Sequence, residues 1–409
     1  MEGFLTRNKA LRILTWSLQV VVVLLALVLG VWASDKYKTL HSFTRSDGTP
    51  QGSLILDGAG NLYGTTWNGG PDAEGTVFEL TPNGDGTWTQ NVLHSFVGTD
   101  GAYPNDALVF DKTGNLYGTA SQATTKHAGA VFKLTPNGDG TWNYSVLYTF
   151  CSLSNCKDGG MPYAGLVFDQ MGNLYGTTSG GVGGGVVYRL APKTDGTWIE
   201  SVLHTFCAYC RDGDGSFAGL IFDKEGNLYG TTFYGGATSS GVVFKLTPNA
   251  DGTWKEKVLH SFSGTTDGAG PRAGLILDPA GSLYGTTSYS ADSSNAGTAF
   301  SLTPNTAGGW KEKVLHQFTG DNDGGHPFGD LTFDAAGNLY GTCSSGGDLS
   351  VGVVFKLTKN PKGIWHETVV HNFTGRPGGP SPHGTDVRPS GRNLWDLRIR
   401  RSVVLRFRI

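Results

Sequence analysis

Apolar residues along the chain fall into short runs that repeat in a fixed order. In one representative stretch these are Ala218-Gly-Leu-Ile-Phe-Asp223, Asn227-Leu-Tyr-Gly-Thr-Thr232, Gly241-Val-Val-Phe-Lys-Leu246 and Trp254-Lys-Glu-Lys-Val-Leu-His-Ser-Phe262. Each is rich in β-branched and aromatic residues and bounded by Gly, Pro, Asn or Asp, which predicts a strand. Short strands joined by tight turns leave helix-rich folds disfavoured. The block Asn-Leu-Tyr-Gly-Thr starts at Asn61, Asn115, Asn173, Asn227 and Asn338, with Ser282 opening the copy between the last two, so the spacing is nearly constant. The repeating unit is therefore four strands, a to d.

The turns are legible too. All six copies carry Asp-x-x-Gly between a and b, from Asp57–Gly60 to Asp334–Gly337. An Asp that caps its own turn and a Gly that tolerates positive φ make a tight hairpin. Between c and d lies Thr-Pro-Asn-Gly-Asp-Gly-Thr-Trp at 81–88 and again at 135–142, which is also hairpin chemistry. Adjacent strands are thus antiparallel, and a repeated four-stranded antiparallel unit is a propeller blade.

The fold class expected is all-β, a β-propeller of seven blades. Six full copies run from Ser53 to Phe373, but a seventh d-like segment, Tyr37–Phe43, precedes the first strand a. It calls for a C-terminal a-b-c set, so that strands from both ends close the ring. Asn393-Leu394-Trp395 stands one repeat length after Asn338, and Val403–Phe407 fits strand c, but the Gly-Thr pattern is lost after Trp395. Residues 388–409 read as a divergent or frame-shifted, arginine-rich remnant of that last blade.

These motifs resemble the Gloeo/Verruco (GloVer) tandem repeat of bacterial surface proteins over residues 34–387. The resemblance implies an extracytoplasmic repeat protein, often with a C-terminal sorting or anchoring module, and no established catalytic activity. The Asp-x-x-Gly-Asn-Leu-Tyr block is also similar to NHL-type propellers and to the propeller domains of bacterial sensor proteins, which bears on the fold but not on function.

Composition fits this picture and charge refines it. The 409 residues include 63 glycines, 21 Phe, 15 Tyr and 10 Trp, which excludes general disorder. The net charge of -3 conceals +6 in residues 388–409 and +2 in the first 33, leaving -11 for residues 34–387. A mildly acidic body is a poor phosphate binder, so nucleic acid is not an expected partner. Arg7, Lys9 and Arg12 precede an apolar run that ends at Val31-Trp32-Ala33, the pattern of a signal peptide cleaved after Ala33 or of an uncleaved anchor. Residues 1–33 are therefore read as targeting, and the body is expected outside the cytoplasm: secreted, periplasmic or at the cell surface. Membrane contact is expected only through an uncleaved N-terminal segment, and a monomer is expected.

Candidate chemistry lies where the repeat varies. The a-b and c-d turns are nearly uniform, whereas the b-c and d-a loops differ, and in a propeller these share the face that surrounds the channel mouth. Trp67, Tyr103, Tyr163, Phe217, Tyr234 and Tyr289 are the candidates there for stacking on sugar rings or gripping peptide side chains. The Asp of each d-a loop reads as turn chemistry. Asp212-Gly-Asp214-Gly and Asp321-Asn-Asp323-Gly have some character of a calcium loop but lack the bidentate Glu, so calcium is only a possible cofactor and no other is expected. The strand-d histidines, from His41 to His371, read as packing between blades and not as a metal cluster.

Cys151, Cys156, Cys207 and Cys210 lie in two neighbouring inserted loops and are disulfide candidates in an exported chain, with zinc as the rival reading and the pairing open. Cys343 reads as a core residue. No Gly-x-Ser-x-Gly, His-Glu-x-x-His or phosphate loop is present. The expected function is non-enzymatic binding of an extracellular glycan or protein. A polysaccharide hydrolase or lyase with acids on the loop face is the alternative, and a purely structural surface repeat is a third.

Overall fold

A computed structural model describes residues 40–374 apart from 45, 124–127, 209–210 and 291–293. The expected targeting segment (1–33), the start of the d-like segment (37–39), Cys210 and the tail (388–409) lie outside these residues.

The described chain folds into six blades. Blade I comprises Ile55–Leu56, Leu62–Thr66, Thr76–Pro82 and Trp88–Ser95 as strands a to d. Blade II has a split strand a (Ala102–Pro104 and Val109–Phe110), then Leu116–Gln122, Ala130–Pro136 and Trp142–Thr149. Blade III is Val167–Phe168, Leu174–Thr177, Val186–Pro192 and Trp198–Thr205; blade IV is Ile221–Phe222, Leu228–Thr232, Val242–Pro248 and Trp254–Ser261. Blade V is Ile276–Leu277, Leu283–Thr287, Thr298–Pro304 and Trp310–Gln317. Blade VI again splits strand a, into Gly325–Pro327 and Thr332–Phe333, followed by Leu339–Ser345, Val353–Lys359 and Trp365–Asn372. All pairings are antiparallel, in the order a-b-c-d.

The expectation of seven blades is corrected to six. Leu40–Phe43 forms no strand, although it packs as a strand d would: Phe43 meets Phe78 of blade I edge-on at 4.9 Å, as Phe96 meets Phe132 of blade II at 5.3 Å. The residues expected to supply its partner strands are those in which the repeat pattern decays. Sequence counted one strand d too many as evidence of a whole blade.

The core lies between blades. In four blades the Tyr of the Leu-Tyr-Gly block packs edge-on against the strand-a Phe of the next blade, as Tyr117 does on Phe168 at 5.1 Å and Tyr175 on Phe222 at 5.1 Å, while Tyr229 shares its cluster with Leu277. The strand-d Trp of that next blade closes the contact, for example Trp198 on Tyr117 and Trp254 on Tyr175, both at 6.1 Å. The Phe that ends strand d is fully buried (Phe96, Phe150, Phe206, Phe262, Phe318) and meets the strand-c aromatic of the next blade. Each such ring contributes about 1.5–3 kcal/mol by leaving water. In all six blades the c-d ladder carries a bulge at the same point, as between Val187 and Tyr188.

Of the strand-d histidines, His94 stacks on Tyr144 of the next blade at 3.8 Å, and four of them pair with the d-a loop Asp that sequence assigned to turn chemistry alone. His94 meets Asp100 at 2.9 Å, His204 meets Asp212 at 3.3 Å, His260 meets Asp267 at 3.1 Å and His316 meets Asp323 at 3.0 Å. Tyr148, which stands where the other copies have His, donates to Asp158 at 2.8 Å and preserves the pairing. Cys151 and Cys156 form a disulfide within one loop, and Cys207 is disulfide-bonded as well. Cys343 is buried and free.

Candidate functional site at the channel mouth

The d-a connection brings each chain back to the inner strand, and its geometry is fixed by a repeated hydrogen bond. A backbone N–H in this connection donates to the carbonyl of the preceding blade's b-c loop at all five junctions: Tyr103 to Glu74 (2.7 Å), Met161 to Ala128 (2.8 Å), Gly215 to Gly184 (2.8 Å), Gly270 to Ser240 (2.8 Å) and His326 to Ala296 (2.7 Å). The donor residue has positive φ in every case, between 51° and 66°. The b-c and d-a loops are thereby stitched together on one face.

Two residues further on, four positions before strand a, one side chain per blade points to the channel: Gln51, Asn105, Tyr163, Phe217, Arg272 and Phe328. All six line one cavity of about 640 Å³, together with Asp106, Asp330 and apolar residues of blades I and VI. The ring is uneven. Blades I and II contribute amides, whereas blades III to VI contribute rings and one guanidinium in mutual contact. Tyr163 lies 5.4 Å from Phe217, and the Arg272 guanidinium sits 5.8 Å from Phe217 and 5.2 Å from Phe328.

The ring wall continues outward over the loops. Phe217 meets Phe233 at 5.7 Å, Phe233 meets Tyr289 at 6.1 Å, and Tyr289 meets His326 at 5.5 Å. The imidazole of His326 is held through Nδ1 by the Ser288 carbonyl at 2.9 Å. The two carboxylates of the lining are anchored across blades. Asp106 accepts the N–H of Gly165 at 2.8 Å and of its own neighbour Ala107 at 2.7 Å, and Asp330 accepts the N–H of Gly274 at 2.6 Å. Backbone donors of this kind hold a carboxylate in one orientation.

Of the six aromatic candidates from sequence, Tyr163 and Phe217 line the cavity, and Tyr289 joins them through Phe233. Tyr234 is half exposed and packs on Phe233 at 4.6 Å. Trp67 and Tyr103 form a separate stacked pair, with centroids 5.0 Å apart. Sequence reasoning missed Gln51, Asn105, Asp106, Arg272, Phe328 and Asp330. Aligning the repeats on strand a would have found Gln51, Asn105, Arg272 and Phe328, since the position four before it changes in nearly every copy while the Leu next to the strand is constant.

The possible calcium ligands are not gathered. Asp212 and Asp214 belong to the loop entering blade IV, and Asp321 and Asp323 to the loop entering blade VI. Asp212 and Asp323 are engaged by His204 and His316, while the backbone of Asp214 bridges to Tyr234 and the carbonyl of Asp321 accepts from Gly324 and Gly347. Among the described residues no group of three or more His, Cys, Asp or Glu side chains could hold a metal ion.

A propeller of tandem Asn-Leu-Tyr-Gly-Thr blades with its variable residues on one loop face is a repeat scaffold in which a single register position sets the channel lining. The profile of the Gloeobacter/Verrucomicrobia repeat matches residues 31–214 and 180–395. The chain belongs to that family. Among curated proteins no match was found. Solved structures with similar chain courses include a provisionally named gluconolactonase (14% identity, TM-score 0.44, covering 83% of this chain and 95% of that one). A provisionally named oxidoreductase (glucose dehydrogenase) from Thermus thermophilus is 16% identical, with TM-score 0.45 and coverage of 81% and 98%. A glucose dehydrogenase is 13% identical, with TM-score 0.44 and coverage of 80% and 100%. No activity is carried over from similarities this low.

Proposed function

We propose that this protein is an exported, non-enzymatic propeller that binds a glycan at the channel mouth. The observation that carries the reading is the uneven ring: rings of Tyr163, Phe217 and Phe328 on one side, and the amides of Gln51 and Asn105 on the other. Sugars present apolar C–H faces and polar edges, and a concave site with aromatic walls and a few oriented polar groups suits both. Arg272 offers N–H donors to ring oxygens and hydroxyls, and Asp106 and Asp330 offer acceptors. Export rests on the basic-apolar pattern of residues 1–33 and accords with the Cys151–Cys156 disulfide.

A glycan array followed by calorimetry on the bound sugars tests the proposal. Phe217→Ala is expected to weaken binding at least tenfold while leaving the melting temperature within a few degrees, because Phe217 is only half-buried. Absence of any bound glycan would overturn it. A second reading, a polysaccharide hydrolase or lyase, is favoured by one observation: Asp106 and Asp330 both reach the same cavity. Release of shortened sugars by the wild type but not by Asp106→Asn would establish that reading in place of binding alone.

A further inference from the structure

The residue whose N–H crosses to the preceding b-c loop must hold positive φ, and blades IV and V meet this with Gly215 and Gly270. Glycine enters this conformation without a steric penalty. Blade II places Tyr103 there at φ +54°. Met161 and His326 hold the same conformation in blades III and VI, so the repeat sets the backbone, and what distinguishes Tyr103 is its ring. The Tyr103 ring has a specific neighbour. Trp67 stacks on it at 5.0 Å with 30° between planes, at a position where four other blades carry serine (Ser121, Ser179, Ser288, Ser344). The Tyr103 N–H donates to the Glu74 carbonyl at 2.7 Å, so the backbone beneath the ring is tied to the same loop that carries Trp67. Both rings are half-buried.

This pair stands beside the cavity and not in it. Tyr103 is two residues from Asn105, whose side chain lines the channel, and two residues of strand span at most about 7 Å. That is of the order of one sugar unit. Resting on the glycan reading above, we propose that the Trp67–Tyr103 stack is a second saccharide platform. The ligand is then a linear oligosaccharide that crosses the loop face from blade I into the channel mouth, and not a single sugar. The tyrosine serves as a positioning and contact residue for the unit outside the cavity, while the ring of blades III to VI holds the unit inside.

The substitution Tyr103→Gly tests this without endangering the fold, because two other blades already use glycine at the same place with the same hydrogen bond. Trp67→Ser likewise installs the residue of four other blades. Cello-, chito- and malto-oligosaccharide ladders from one to six units are titrated calorimetrically against the wild type and both variants, with melting temperatures alongside. In the wild type, affinity in at least one ladder is expected to rise tenfold or more on going from one unit to longer chains. Both variants should lose that gain and keep the single-unit affinity, and Tyr103→Gly should melt at or above the wild-type temperature. A lower melting temperature with unchanged binding of long chains would show the stack to be packing and overturn the proposal. Equal affinity for one unit and for longer chains also overturns it but leaves the glycan reading standing. No binding by any ladder or array sugar overturns both.

Discussion

Gly226 and Gly230 both stand in blade IV, one in the a-b turn and one in strand b, and are glycine for different reasons. Gly226 closes the Asp-x-x-Gly turn at φ +83°, and a Cβ there would meet nothing within 4 Å. Gly230 lies in strand b, where a Cβ would come within 2.6 Å of Phe244 Cζ and 2.9 Å of Leu220 Cδ2. The first glycine answers to backbone conformation, and the second to the fully buried strand-c ring stacked over it. Gly226→Ala is expected to cost about 1 kcal/mol, the penalty of left-handed backbone for a residue with Cβ. Gly230→Ala should cost about 2 kcal/mol or more, because Phe244 has no room to move in a close-packed interior. Urea denaturation of the two variants reads the difference, and equal costs would remove the packing argument. Both glycines were visible as repeated letters in the sequence, but their separate causes were not, since that of Gly230 needs a ring on the neighbouring strand.

At the scale of the element, the a-b turn shows what sequence reads best. Asp111 Oδ1 accepts the N–H groups of Thr113 and Asn115, its Oδ2 accepts Asn115 Nδ2 and the Tyr117 hydroxyl, and the Gly114 N–H returns to the Asp111 carbonyl. All partners lie within the motif Asp-x-x-Gly-Asn-x-Tyr, which therefore contains its own explanation. Burial raises the pKa of Asp111, but the hydrogen bonds from Asn115 and Thr113 outweigh it and hold the carboxyl at about 2. A group depressed on folding stabilises above its unfolded value near 3.8, and that stability is lost as pH falls towards 2. Asp111→Asn should therefore lose about 1 kcal/mol at pH 7, after allowance for solvent screening, and show a flatter loss of stability between pH 4 and pH 2. Melting curves across that range check it. The pairing of strand-d His with d-a loop Asp was harder to read. The partners face each other across a loop of variable length, so no fixed spacing marks them.

In the whole molecule, what sequence could not supply is convergence between blades. Arg272 and Phe328 belong to successive repeats and meet only because neighbouring blades set equivalent positions side by side around one channel. The blade count failed for a related reason: a strand-d segment at 37–43 was legible, but strand pairing is a property of the closed sheet and not of the segment. The same convergence creates a row of acids between blades that no local motif announces. Glu200, Glu256 and Glu312 project from strand d towards Asp158, Asp212 and Asp267 of the d-a loop that joins their blade to the one before, and Oε1 of each is buried without a hydrogen-bond partner. Burial first, and the neighbouring carboxylate second, push all three up to about 7. Glu367 is raised in the same way by burial and Asp323, with His316 opposing. Because the folded state binds these protons more tightly than the unfolded chain, stability is greatest below about pH 4.5 and is lost as pH rises to 7. His94, His204 and His260, lowered chiefly by burial, act in the opposite sense and withdraw stability as pH falls below 6.5. The two effects can be separated by substitution. The triple variant Glu200→Gln, Glu256→Gln, Glu312→Gln keeps the shape and removes the charge, so at pH 8 it should unfold at higher denaturant than wild type, by about 1 kcal/mol per site after screening. At pH 4.5, where the wild-type acids are already neutral in the fold, the advantage should largely vanish and the acid limb due to the histidines should remain. A triple variant no more stable than wild type at pH 8 would mean that these interfaces carry their carboxylates charged at no cost.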